Sequence, residues 1–145
     1  MVTSRPAGFS RQMRLLRPTD FSRVYDTRQS ASAGPLVLYA SLNRTSPDGI
    51  RVGLSVSRRI GSAVVRNRWK RRLREAFRTV RSRLPAGNDF VIVVRSGEPP
   101  AGAAGARDVE AMIAALATRV VGRRGYADAV SRPRDDAAAK PKRRR

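Results

Sequence analysis

The chain has 145 residues, room for one compact domain and hardly two, and its 31 Lys and Arg against 11 Asp and Glu give a net charge of +20. A protein so charged repels itself until a polyanion neutralises it, so nucleic acid is the first expected partner and an anionic membrane surface the second. With neither Cys nor His, disulfides, thiolate zinc sites, thiol nucleophiles and imidazole bases are all excluded.

Residues 1–12 are polar and basic without a period and read as a mobile arm. A first helix fits Thr19 to Asp26: Pro18 stops anything earlier, Thr19 can cap, and Phe21, Val24 and Tyr25 fall at helical spacing. Leu36 to Ser41 reads as a strand, and Ser46-Pro47-Asp48-Gly49 as a turn by its residue types. Ile50 to Ser57 alternates strictly. Val52, Leu54 and Val56 form an apolar face, while Gly53, Ser55 and Ser57 leave the other face small and flat, a surface that can admit a ligand chain.

A third short strand is expected over Ile60 to Ala63, followed by a helix from Val65 to Arg83 that Pro85-Ala86-Gly87 ends. Phe90 to Arg95 is an apolar run of strand length. The Gly, Pro and Ala-rich stretch Ser96 to Ala106 is expected to be a mobile loop, and Asp108 to Val121 a last helix through Val109, Met112, Ile113, Leu116 and Val120. Residues 122–145, closing on Lys140-Pro141-Lys142-Arg143-Arg144-Arg145, read as a disordered basic tail. The expected architecture is a single small α+β domain over residues 13–121, in the order α-β-β-β-α-β-α, with about 110 residues to build its core.

On the helix from Val65, the residues Val65, Trp69, Leu73, Ala76, Phe77, Val80 and Leu84 fall within an arc of about 120°, and Lys70, Arg71, Arg74, Arg78 and Arg81 gather opposite. Trp69 thus reads as core. Between Arg51 and Arg83 stand twelve basic residues and one acidic residue, Glu75, about half of the net charge. A solvated helix face normally interleaves Glu with Lys to gain i,i+4 pairs, whereas like charges stacked this way cost energy until phosphates neutralise them. Arg66-Asn67-Arg68 at the expected helix start would add guanidinium forks to the free N–H groups there, although Asn67 also fits as a simple helix cap.

The carboxylates stand singly apart from Asp135-Asp136, so no two-metal centre and no protein catalytic residue is expected. No stretch approaches roughly 18 apolar residues and no secretory apolar region opens the chain, so a cytoplasmic protein without a membrane partner is expected.

The run from Arg51 to Phe77, with Arg66-Asn67-Arg68 at its centre, closely resembles the signature of the bacterial ribonuclease P protein subunit. The resemblance extends to Phe21-Ser-Arg-Val-Tyr25, Leu36-Val-Leu-Tyr39 and Phe90-Val-Ile-Val-Val-Arg95, covering about residues 14–121. It implies an αβββαβα domain with a four-stranded sheet, in which the basic helix joins two parallel strands by a left-handed crossover, against the usual rule. It also implies that a catalytic RNA, with Mg²⁺ held mainly by that RNA, removes the 5′ leader of precursor tRNA while the protein assists, with no obligate protein partner.

On this resemblance Arg58, Arg59, Arg66, Asn67, Arg68, Lys70, Arg71 and Arg74 contact the catalytic RNA. Phe21, Tyr25, Val37 and Tyr39 line a cleft for the single-stranded leader, and Gly53, Ser55 and Ser57 form its floor. Aromatic faces stack on unpaired bases with little sequence preference, which suits a leader of variable sequence. For Phe21 the residue pattern fits ordinary core packing as well. A ribosomal RNA-binding protein would share the basicity and size. A DNA-recognition helix is disfavoured by the lack of a preceding turn-helix partner, and a protein-only nuclease by the residue inventory.

Overall fold

A computed structural model describes residues 13–131 of the chain. The expected arm at 1–12 and the end of the expected tail, 132–145, lie outside the described residues. Helix α1 spans Pro18–Asp26 and opens on Pro18 itself, after Arg17 in extended conformation and without a side-chain cap. Proline's fixed φ and missing N–H suit the first helical position, so the helix starts there and Thr19 is not its cap.

Strand β1, Ser30–Ala33, pairs antiparallel with β2, Leu36–Leu42, across the Gly34-Pro35 turn. Its sequence, Ser-Ala-Ser-Ala, alternates but carries no β-branched or large apolar residue, which is why patterning does not reveal it. Strand β3 covers Ile50–Val56. The expected strand over residues 60–63 is absent: Arg58–Ile60 form a 3₁₀ turn in which the Ile60 amide donates to the Ser57 carbonyl at 3.0 Å. Helix α2, Ala63–Val80, follows at once, and Ser62 Oγ accepts from the Val65 amide at 3.3 Å. Ser62 is therefore the cap, and Asn67 stands in the second turn.

Strand β4 is Asn88–Val94, and helix α3 is Gly102–Val121. The Gly and Ala-rich residues 102–106, expected as loop, form the opening of α3. Gly105 permits this, because a Cβ there would lie 2.6 Å from the Pro100 carbonyl. A short helix α4, Tyr126–Ser131, occupies part of the stretch expected as disordered tail. Tyr126 and Val130, one turn apart, are buried, and the Tyr126 hydroxyl donates to Asn88 Oδ1 at 2.6 Å. Two apolar residues in a basic stretch are too short a signal to outweigh composition.

The sheet order is β1-β2-β4-β3, with β2 and β4 antiparallel and β3 and β4 parallel. β4 lies between two partners and is buried on both faces, as its continuous apolar run requires. One face carries Leu36, Leu38, Val52, Phe90, Ile92 and Val94 against Trp69, Leu73, Phe77 and Val80 of α2 and Val109, Ile113 and Leu116 of α3. The opposite face is met by the nine residues of α1 and the segment before it, which bury Leu15, Val24 and Val91 and leave Phe21, Tyr25, Tyr39 and Val93 half-buried. Two long helices cover one face and one short helix the other, so part of that second face stays open.

Candidate nucleic-acid interface

Strand register places the residues of the open face in three rows across β2, β4 and β3. Ser41, Asp89 and Arg51 form one, Tyr39, Val91 and Gly53 the next, and Val37, Val93 and Ser55 the third. Period-two alternation puts all of them on one side of the sheet, and α1 lies over that side with Phe21 and Tyr25. Six of the seven residues predicted to hold a leader chain thus meet at one surface. The seventh, Ser57, stands past the end of β3 as the exposed residue that opens the 3₁₀ turn, so it is not part of the strand floor.

Gly53 has a different task from the one its small size suggests. It is buried, and a Cβ there would lie 2.6 Å from Phe21 Cζ. The glycine seats the Phe21 ring against the sheet. Tyr25 meets Tyr39 edge to face, with ring centroids 4.9 Å apart and an interplanar angle of 87°. Burial raises the pKa of the Tyr25 phenol, a hydrogen bond with Ser55 pulls it back down, and Tyr39 adds a smaller upward push. The open floor is therefore the row of Val37, Val93 and Ser55, walled by two tyrosines.

At the other end of the face Asp89 is fully buried. Arg51 holds it at two points, Nε to Oδ1 at 2.9 Å and an Nη to Oδ2 at 2.7 Å, and Arg23 of α1 donates to the same Oδ2. These bonds to Asp89 raise the pKa of the Arg51 guanidinium, against a smaller opposing effect of desolvation.

The basic segment begins where the third row ends. Arg58 and Arg59 are exposed on the 3₁₀ turn, and Asn67, Arg68 and Arg71 are exposed on α2, while Arg66, Lys70 and Arg74 are half-buried. Arg66 Nε donates to the Gly61 carbonyl at 3.2 Å, which folds that side chain back toward the helix start. Arg71 makes an exposed 3.5 Å pair with Glu75, a contact of little energetic weight. Arg72, which the helical projection assigns to neither face, lines with Arg68 and Arg71 a groove of about 410 Å³ before α3. Trp69 is core, and its indole donates to the Gly97 carbonyl at 3.0 Å, pinning the loop that forms the groove's far wall.

Among the described residues no helix is long and apolar enough to cross a membrane, and no group of three or more carboxylates, His or Cys is placed to hold a metal ion. The ribonuclease P family model matches residues 9–121. Among curated relatives, the ribonuclease P protein component of Clostridium acetobutylicum is 41% identical over 86 residues, 59% of this chain and 72% of the relative. That of Streptococcus thermophilus is 44% identical over 84 residues, 58% of this chain and 73% of the relative.

Among solved structures, the ribonuclease P protein of Thermotoga maritima superposes with a TM-score of 0.60 at 26% identity, covering 74% of this chain and 96% of that one. The Staphylococcus aureus protein gives 0.58 at 28% identity, covering 72% and 91%. With a family match across most of its length, a fold shared with these structures, and its basic helix beside an aromatic-lined sheet face, this chain belongs to the ribonuclease P protein family.

Proposed function

We propose that this chain, as the accessory protein of ribonuclease P, binds the enzyme's catalytic RNA through the segment from Arg58 to Arg74 and holds the 5′ leader of precursor tRNA across the open face of its sheet. The reaction is endonucleolytic removal of that leader to give the mature tRNA 5′ end. In this reading the RNA supplies the catalysis and the Mg²⁺, the protein supplies positioning, and the assembly works in the cytoplasm.

The observation that carries the reading is the juxtaposition of two unlike surfaces. Exposed arginines on the 3₁₀ turn and α2 suit a structured polyanion, because each neutralised phosphate releases counterions. The tyrosines and the small floor of Val37 and Ser55 suit unpaired bases, which stack on aromatic faces whatever their sequence. Since β3 runs straight from the floor into the basic turn, a strand leaving the cleft arrives at the RNA-binding segment.

The test is affinity of the reconstituted ribonucleoprotein for precursor tRNA relative to mature tRNA, which lacks the leader. Tyr25→Ala lowers that ratio about tenfold, since a stacked base is worth about 1–3 kcal/mol, and leaves mature tRNA binding unchanged. Equal losses for both RNAs, or none, would overturn the leader assignment.

A further inference from the structure

Helix α1 is only nine residues long, yet on the reading above it must present two aromatic rings at a fixed height over the sheet. At 100° per residue, Phe21 and Tyr25 share one flank of α1, the buried Val24 points down, and Arg23 lies on the far flank. The aromatic flank packs Phe21 against Gly53 and Tyr25 against Tyr39, and just past the end of α1 the Thr27 hydroxyl donates to the Ala40 carbonyl at 3.0 Å. Arg23 closes the other side. One of its amino groups donates to the Leu42 carbonyl at the end of β2, at 2.8 Å, and the other to Asp89 on β4. Asp89 is itself held at two points by Arg51 of β3. A single buried carboxylate thereby joins α1, β4 and β3, and Arg23 adds β2.

The charges of this cluster balance. Arg23 also lies 3.8 Å from Asp20, so two guanidinium groups face two carboxylates, and the cluster does not draw phosphate as the basic segment does. Its arginine side chains are only 13% and 17% exposed. Arg51 clasps the Asp89 carboxylate as a planar two-point fork that fixes its orientation as well as its distance, and Arg23 bridges that fixed carboxylate and the Leu42 carbonyl, so hydrogen bonds to two strands hold its guanidinium plane. We propose that Arg23, held by Asp89, is the positioning residue of the leader cleft: it sets the roll of α1 and so the height of Phe21 and Tyr25 above Tyr39 and Ser55.

This rests on the leader-binding reading, and the experiment separates the two. Ribonucleoprotein is reconstituted with wild type, Tyr25→Ala, Arg23→Met and Arg23→Lys, and the precursor-to-mature affinity ratio is measured beside affinity for the catalytic RNA and thermal unfolding. Arg23→Met leaves Asp89 paired with Arg51 and lowers the ratio about threefold to fivefold, less than the loss of a whole stack, while catalytic-RNA affinity stays at the wild-type value. Arg23→Lys keeps a charge on Asp89 but cannot also reach Leu42; it folds and gives an intermediate ratio. If Tyr25→Ala lowers the ratio and both Arg23 variants keep the wild-type value, whatever their melting temperatures, the positioning role is wrong and the leader cleft stands. If Tyr25→Ala leaves the ratio unchanged, both fall.

Discussion

Gly53 and Phe21 act as one unit. The ring rests where a side chain would otherwise be, with 2.6 Å between Phe21 Cζ and the position of an added Cβ, so Gly53→Ala must lift the ring or shift the strand. Overpacking of this kind costs typically about 1–3 kcal/mol. The variant is expected to melt lower and to lose about fivefold in precursor-over-mature affinity, as one stacking surface moves out of place. A lowered melting point with an unchanged ratio would assign Phe21 to packing alone. Alternation along β3 reveals that Gly53, Ser55 and the strand's apolar partners face opposite sides. It does not reveal that a ring from α1 fills the space above Gly53, because that contact joins residues far apart in the chain.

On the proposed reading, helix α2 meets the catalytic RNA through side chains that contribute little to its folding. Its stripe of Trp69, Leu73, Ala76, Phe77 and Val80 is buried, while Arg68 is exposed and Arg66 reaches only the Gly61 carbonyl. The double variant Arg66→Ala with Arg68→Ala is therefore expected to keep its melting temperature. It is also expected to bind the catalytic RNA more weakly, with a salt dependence shallower by about one to two in the log–log slope. A filter-binding titration at several salt concentrations checks this, and an unchanged slope would contradict it.

Helix α4 is the opposite case, an element whose contacts serve stability. Burial, reinforced by Asp89, raises the pKa of the Tyr126 phenol well above its ordinary value. The folded state thus holds that proton more tightly than the unfolded chain does. Stability from this group is complete below the unfolded tyrosine pKa, near 10, and is lost as pH rises above it. Tyr126→Phe leaves the buried Asn88 oxygen without its donor and is expected to cost about 1–3 kcal/mol at neutral pH. It is also expected to flatten the alkaline fall in melting temperature; a curve parallel to wild type above pH 10 would contradict this.

Across the whole molecule, the parts legible in the sequence are those whose signal is periodic or local. The amphipathic stripe of α2, the alternation of β3, the apolar run of β4 and the density of arginine after Arg51 all have that character. The unreadable parts depend on distant partners. β1 is a strand because β2 offers it an edge, residues 60–63 are turn and helix because Ser62 caps α2, and α4 packs through Tyr126 and Val130, buried in the core, and the bond from Tyr126 to Asn88. The site divides the same way: the density of arginines and the two faces of β3 follow from spacing, the cleft roles of Phe21, Tyr25, Val37 and Tyr39 from the family resemblance, whereas the Asp89 cluster and the seat of Phe21 need the assembled fold.

At this scale a net charge of +20 makes binding to almost any RNA easy, so affinity alone says little about the proposed role. The decisive measurement is cleavage of precursor tRNA by the ribonuclease P catalytic RNA at low Mg²⁺, with and without this chain. If the chain acts as proposed, it raises cleavage of leader-bearing substrate, Tyr25→Ala and the Arg66→Ala, Arg68→Ala double variant each lose part of that gain, and the protein alone cleaves nothing. Cleavage unchanged by saturating protein, or cleavage by the protein without the RNA, would contradict the proposed role.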